Sequence, residues 1–317
     1  MDDAFDPAAA AQTERFLKDV IEGLSQPQKT LPCQYFYDEV GSNLFEQITE
    51  LPEYYPTRTE IGILTENAKT IAEALGPNTL LVEYGAGAST KTRILLDALI
   101  APAGYVPIDV SEEFLLQTAA ALKSEYPDLA VRPIAADFMV ELGLPEDVEG
   151  TPVGFFPGST IGNLDDSEID RFLRAARTLL GDDSKFVIGL DLRKSPDILV
   201  PAYDDAQGVT AAFNLNLLQR INRELGADID LDTFQHEAIW NDDASRIEMH
   251  LRSKIAQTVS IGDMRVQFAQ GETIHTENSR KFDLTQFVSL ISPTGWALRK
   301  KWGDERNFFA VLMLEAQ

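Results

Sequence analysis

The stretch Leu80-Leu-Val-Glu-Tyr-Gly-Ala-Gly-Ala-Ser-Thr90 constrains the fold of this chain more than any other. A short apolar strand runs into two glycines one residue apart, then into the helical run Lys91–Ile100. Such a unit belongs to parallel α/β folds, where the strand's carboxyl end and the helix N-terminus together receive nucleotide-like ligands. Gly85 and Gly87 let the chain turn tightly and leave backbone open to a ligand.

The segments around it repeat the pattern. A helix is predicted from a Thr57-x-x-Glu60 capping box to residue 75, ahead of the strand at 79–84. Strand Gly104–Asp109, helix 112–125, strand Val131–Phe138 and strand Pro152–Pro157 follow. The last empties into Gly158-Ser-Thr-Ile-Gly-Asn-Leu164; Asp165-Asp-Ser-Glu168 caps a helix at 167–180, and Lys185–Leu192 is a further strand. Alternating strands and helices predict a doubly wound, mostly parallel sheet with right-handed crossovers. The pattern changes at 193. Val209–Leu225 reads as a helix, then Ile247, Met249, Leu251 and Ile255 alternate with Glu248, His250, Arg252 and Lys254. Met264, Val266 and Phe268 continue in the same style. These residues read as an α+β lobe inserted after strand five. Asp283-x-x-Gln286 caps a return helix, and Trp296–Trp302 with Asn307–Leu314 forms a hairpin that closes a seven-stranded α/β sheet.

Ahead of the glycine loop, a helix at 12–24 and the aromatic, proline-punctuated run containing Tyr35, Phe36, Tyr37, Tyr54 and Tyr55 form an N-terminal helical cap. These aromatics suit either core packing or a small-molecule pocket. The expected organisation is a cap at 1–60, a ligand-binding domain at 61–192 with 283–317, and a substrate lobe at 193–282.

With 27 basic and 51 acidic residues the formal charge is −24, which argues against a nucleic-acid partner. The single cysteine, Cys33, leaves no intramolecular disulfide and suits a reducing compartment. The acidic start Met-Asp-Asp-Ala-Phe-Asp lacks the basic region of an export signal. No apolar run approaches the ~18 residues of a membrane span. The expectation is a cytoplasmic monomer acting on a small molecule, without a membrane partner. His236, His250 and His275 show no metal-ligand spacing, so no metal is expected.

Asp109 stands 22 residues after Gly87, the separation of a carboxylate that reaches ribose hydroxyls; a helix N-cap is the alternative, a role Ser111 serves better. Asp137-Phe138 ends the third strand and suits either an adenine or a turn cap. A dinucleotide fingerprint needs a third glycine where Thr90 stands, which weakens a nicotinamide reading. Instead an acid precedes the glycines. Glu83-x-Gly85-x-Gly87 resembles the first motif of class I S-adenosylmethionine (SAM)-dependent methyltransferases. A sulfonium ligand bearing an ammonium group suits a nearby carboxylate, whereas a pyrophosphate does not.

Over roughly 30–317 the chain also resembles the histidine-specific N-α-methyltransferases of ergothioneine biosynthesis. The stretches that carry this are Tyr37-Asp-Glu-Val-Gly-Ser-Asn-Leu-Phe45, Leu51-Pro-Glu-Tyr-Tyr-Pro-Thr-Arg-Thr-Glu60, Phe156-Pro-Gly-Ser-Thr-Ile-Gly-Asn163 and Gly271-Glu-Thr-Ile-His-Thr-Glu-Asn-Ser279. The resemblance implies trimethylation of the α-amine of L-histidine to hercynine, with SAM as methyl donor. It implies that Asn163 and Tyr203 bind the substrate carboxylate, with Tyr37 near the amine, these three forming the catalytic set. It implies that Tyr54, Glu277 and Ser279 recognise the imidazole and that Met249 packs beside it. Glu83, Gly85, Gly87, Lys91, Asp109, Asp137 and Phe138 would hold the cofactor, with Tyr37 touching both ligands. By spacing alone, Met249 is core with Ile247 and Leu251, Glu277 a solvated loop carboxylate and Asn163 a turn residue. The rival readings are a methyltransferase for another, tryptophan-like amino acid, a nicotinamide-dependent oxidoreductase, and a non-catalytic module that binds a protein.

Overall fold

A computed structural model describes residues 7–87, 90–140 and 142–317, with side chains from Gln12 onward. The acidic start at residues 1–6, and Ala88 and Ser89 of the glycine loop, lie outside the described residues. The chain divides into two compact units, one running to Tyr54 and including Ser195–Ser279, the other made of Tyr55–Lys194 and Arg280–Gln317.

The second unit is built on one sheet. In chain order its strands are β1 (Thr79–Tyr84), β2 (Gly104–Asp109), β3 (Ala130–Val131 and Ile134–Ala135), β4 (Thr151–Phe156), β5 (Lys185–Asp191), β6 (Trp296–Gly303) and β7 (Phe309–Ala316). Across the sheet the order is β6-β7-β5-β4-β1-β2-β3. β1 to β5 are mutually parallel, β7 runs antiparallel to β5, and β6 runs antiparallel to β7. This is the expected doubly wound sheet with its antiparallel hairpin. β3 is one strand broken at Arg132-Pro133, where proline brings no N–H to the ladder. Both faces of the sheet are covered, so β1 is buried along its whole length. Ile169, Phe172, Leu173 and Leu180 of helix Asp166–Leu180 pack on one face, and Ile63, Leu64, Ile71, Leu95 and Leu122 on the other.

Local chemistry explains most element ends. Asp165 caps helix Asp166–Leu180 in a reciprocal capping box with Glu168, and Asp283 caps helix Leu284–Ile291 through the N–H groups of Thr285 and Gln286. The Thr57-x-x-Glu60 box does not form. Helix Tyr55–Leu75 begins ahead of it, and Glu60 turns inward, fully buried.

The first unit carries helices Pro7–Leu24, Glu39–Glu50 and Val209–Leu225. Its four-stranded sheet has the order Lys29–Thr30, Thr273–Arg280, Arg246–Ser253, Phe234–Asn241. A separate hairpin pairs Gln257–Ile261 with Met264–Phe268. Asp38 caps Glu39–Glu50 by accepting the Gly41 N–H at 2.7 Å, and it binds Asn216 and Arg223 of helix Val209–Leu225 at 2.8 and 2.5 Å. One carboxylate thus starts one helix and ties it to a second. No helix among the described residues is long and apolar enough to cross a membrane.

Candidate active site

The carboxyl ends of the parallel strands collect the residues expected to hold a nucleotide-like ligand. β1 ends at Tyr84, and the Gly85 N–H turns back to donate to the Ile108 carbonyl at 2.8 Å. Gly85 and Gly87 have φ of +71° and +46°, a region that residues with a Cβ rarely enter. Among the described residues, chain neighbours aside, no heavy atom lies within 4 Å of where a Cβ would stand on either. At these two glycines the described backbone is open. Asp109, at the end of β2, accepts the Gly87 N–H at 3.3 Å and the Ser111 N–H at 2.9 Å. Burial raises its pKa, against the pull of those N–H groups. Asp137 accepts the Met139 N–H at 2.9 Å, which shapes the turn after β3. Phe138 beside it sets its ring against Tyr84, Phe156 and Phe172, with centroids 6.4, 5.3 and 5.5 Å away.

Glu83 departs from the expected cofactor contact. Its side chain turns away from the loop, is 1 % exposed, and accepts hydrogen bonds from Thr92 Oγ1 at 2.6 Å and from the Tyr105 hydroxyl. It joins β1 to helix Thr90–Ala98 and to β2. Burial pushes its pKa up to about 8, against the pull of those two hydroxyls. The enclosed carboxyl braces the segment beneath the loop through those two hydroxyls.

Lys91 does lie at the loop, and its partner is one the sequence reading missed. Its Nζ stands 2.6 Å from Glu60 Oε2, which also accepts the Gly158 N–H at 2.8 Å. Glu60 reaches that position because β5 carries a glycine opposite it. A Cβ on Gly189 would stand 2.1 Å from Glu60 Oε1. A lone glycine inside an apolar strand is a signal of such close approach, and it was available at Gly189. Through Gly158 the same carboxylate steadies the segment after β4, which ends in a short 3₁₀ turn, Thr160–Asn163. Asn163 therefore follows the carboxyl end of β4, as Gly85 and Gly87 follow that of β1 and Asp109 ends β2.

The remaining expected residues lie in the first unit. The Tyr203 hydroxyl and Ser279 Oγ are 2.7 Å apart, and the Tyr54 ring meets the Tyr203 ring edge-on at 6.0 Å. Phe45 bridges Tyr54 to Tyr37 with centroids at 6.2 and 5.7 Å, and Phe213 stands 5.8 Å from Tyr37. Tyr37, Tyr54, Tyr203 and Ser279 thus form one continuous group of rings and hydroxyls. His236 supports it from behind: its Nε2 donates to the Tyr203 carbonyl at 2.7 Å while Nδ1 accepts from Asn214 at 2.8 Å. Burial, against that hydrogen bond, lowers the His236 pKa and favours the neutral ring this arrangement needs. Glu277 is half-buried, two residues before Ser279 on the same strand. Met249 is 1 % exposed on the strand face it shares with Ile247 and Leu251, as the packing alternative has it. Its burial is that of a core side chain.

The fold also gathers residues that sequence spacing kept apart. The His250 and His275 rings stack at 4.7 Å, and with Glu248 they offer ligand atoms within 4.8 Å of one another. Burial would raise the Glu248 pKa, but hydrogen bonds from Arg246, Asn241 and His250 overcome it and hold the carboxyl at about 2. The carboxylate is thus already engaged, and His275 Nε2 donates to the Glu277 carbonyl at 3.1 Å.

A family described as "Histidine-specific methyltransferase, SAM-dependent" matches residues 16–316. The chain is 44 % identical over 309 residues to a histidine N-alpha-methyltransferase of Mycolicibacterium smegmatis, covering 96 % of each chain. It is 43 % identical over 300 residues to a protein of the same name from Mycobacterium tuberculosis, covering 93 % of this chain and 92 % of that one. Among solved structures, a SAM-dependent methyltransferase from Clostridium acetobutylicum aligns over 86 % of this chain and 98 % of its own, with a TM-score of 0.51 at 12 % identity. That likeness bears on the fold alone.

Proposed function

The chain belongs to the histidine-specific, SAM-dependent methyltransferase family, and from that premise we propose that it trimethylates the α-amine of L-histidine to hercynine, a step toward ergothioneine. The observation that carries the substrate is the 44 % identity over 96 % of both chains to the mycolicibacterial enzyme. The same membership displaces the nicotinamide-dependent reading, which Thr90 already weakened.

The donor site fits SAM. The open backbone over Gly85 and Gly87 is a cradle that any Cβ would fill. Asp109 suits ribose hydroxyls, Lys91 a carboxylate and Phe138 an aromatic base, with Asp137 at the turn beside it. When bound, SAM supplies an electrophilic methyl group on its sulfonium.

On the acceptor side, Asn163 and Tyr203 take the substrate carboxylate, Tyr54, Glu277 and Ser279 the imidazole, and Tyr37 the amine end. No strong base is required, because an α-amine with a pKa near ~8 keeps a usable neutral fraction at neutral pH. Positioning its lone pair in line with the methyl group contributes much of the rate. As the nitrogen becomes a quaternary cation, the tyrosine rings accommodate it by cation–π contact. Hydrogen bonds to both ring nitrogens reject phenylalanine, which would leave buried polar groups unpaired.

The test is incubation of the purified protein with SAM and L-histidine, followed by mass spectrometry. Trimethylated histidine supports the reading. Methylation of tryptophan with none of histidine would move the assignment to the rival acceptor.

A further inference from the structure

The chain leaves the second unit at three points, Tyr54/Tyr55, Lys194/Ser195 and Ser279/Arg280. One buried carboxylate, Asp191 at the end of β5, ties down the second-unit side of all three. The Tyr55 hydroxyl donates to its two oxygens at 2.8 and 2.7 Å. Lys281 Nζ donates to Oδ2 at 2.8 Å, and Lys194 Nζ donates to Oδ1 and, at 2.8 Å, to the Tyr55 hydroxyl. The Lys194 ammonium also lies 4.4 Å from the centre of the Tyr55 ring. Asp191 and Lys281 are each 1 % exposed. The Asp191 N–H donates to Ser159 Oγ at 2.9 Å, which joins the segment leading to Asn163 to the same point.

A buried carboxylate with two ammoniums is a poor source of stability, because desolvation offsets most of the attraction. Burial, only partly offset by Asp191, brings the Lys194 pKa down to about 8. What the arrangement secures is geometry: three donors from three separate crossings converge on two oxygens. Tyr54 directly precedes Tyr55, and Ser279 stands two residues before Lys281. We propose that Asp191 is a positioning residue for histidine binding, setting through Tyr55 and Lys281 the roots of the segments that carry Tyr54 and Ser279. This rests on the assignment of those two residues to the imidazole.

The experiment compares wild type with Asp191→Asn and with Tyr55→Phe, a milder change that removes one hydroxyl and keeps the ring. Histidine kinetics and S-adenosylhomocysteine affinity are measured on each. The expected result for Asp191→Asn is a KM for histidine up by about tenfold, with S-adenosylhomocysteine affinity within about twofold, and the same split at smaller size for Tyr55→Phe. Equal shifts for both ligands, or an unmoved histidine KM, would overturn the proposal. If Asp191→Asn does not fold, Tyr55→Phe decides on the same criterion. Amide exchange supplies a readout independent of substrate. Peptides spanning residues 52–57, 192–196 and 278–283 should gain exchange together in the folded variants, and a gain confined to one of them contradicts a shared anchor. A wild type that makes no hercynine would sink the proposed function while leaving the exchange result to judge Asp191.

Discussion

The Tyr203 hydroxyl lies 2.7 Å from Ser279 Oγ, and both side chains are buried. The two come from segments 76 residues apart, and either can donate to the other. In the proposed site, a substrate group would meet two hydroxyls that already hydrogen-bond each other.

Ser279→Ala and Tyr203→Phe should each raise the KM for histidine by about tenfold, the cost of one buried hydrogen bond. Because the pair acts as a unit, the double variant should lose little more than either single one. Steady-state kinetics on the three variants check this, and fully additive losses would separate the two residues.

Glu277→Ala should raise the KM for histidine by at least about tenfold more than that for SAM, since a carboxylate facing an imidazole N–H serves only the acceptor. Asp109→Ala should do the reverse, through lost ribose contacts. Parallel effects on both substrates in either variant would remove that residue from its assigned role.

Glu83 makes stability depend on pH in a defined direction. Its folded pKa of about 8 lies above its ordinary 4.5, so the folded state holds an extra proton between those values. Its contribution is full below about 4.5 and is lost as pH rises through 8. Glu83→Gln mimics the protonated carboxyl. It should melt close to wild type near neutrality and flatten the pH dependence of unfolding between 4.5 and 8. Glu83→Ala leaves the Thr92 and Tyr105 hydroxyls without their shared acceptor and should cost about 2–4 kcal/mol. Thermal melts across pH check both, and a glutamine variant as damaged as the alanine one would contradict the buried, protonated assignment.

Much of this fold was legible because its signals are local. Clean periodicity marked helices Glu112–Glu125 and Val209–Leu225 at the residues where they occur. Strand Phe234–Asn241 was not legible, because Phe-Gln-His-Glu-Ala-Ile-Trp-Asn lacks a period of two and its exposure follows no simple alternation. The tight turn after β1 was readable for the same reason as the helices: Gly85 and Gly87 declare it by their spacing, and both have positive φ. The inward turn of Glu83 was not, since its partner Tyr105 lies 22 residues away, and Glu60 meets Gly158 across 98. A buried carboxylate is distinguished from an exposed one by what surrounds it, and only the fold supplies that.

The most direct measurement is a competition in which the purified protein receives limiting SAM with equal histidine and tryptophan, and products are followed by mass spectrometry. The account predicts methylated histidine, ending in the trimethylated species, with tryptophan essentially unmodified. Preferential methylation of tryptophan, or no methylated amino acid at all, would contradict it.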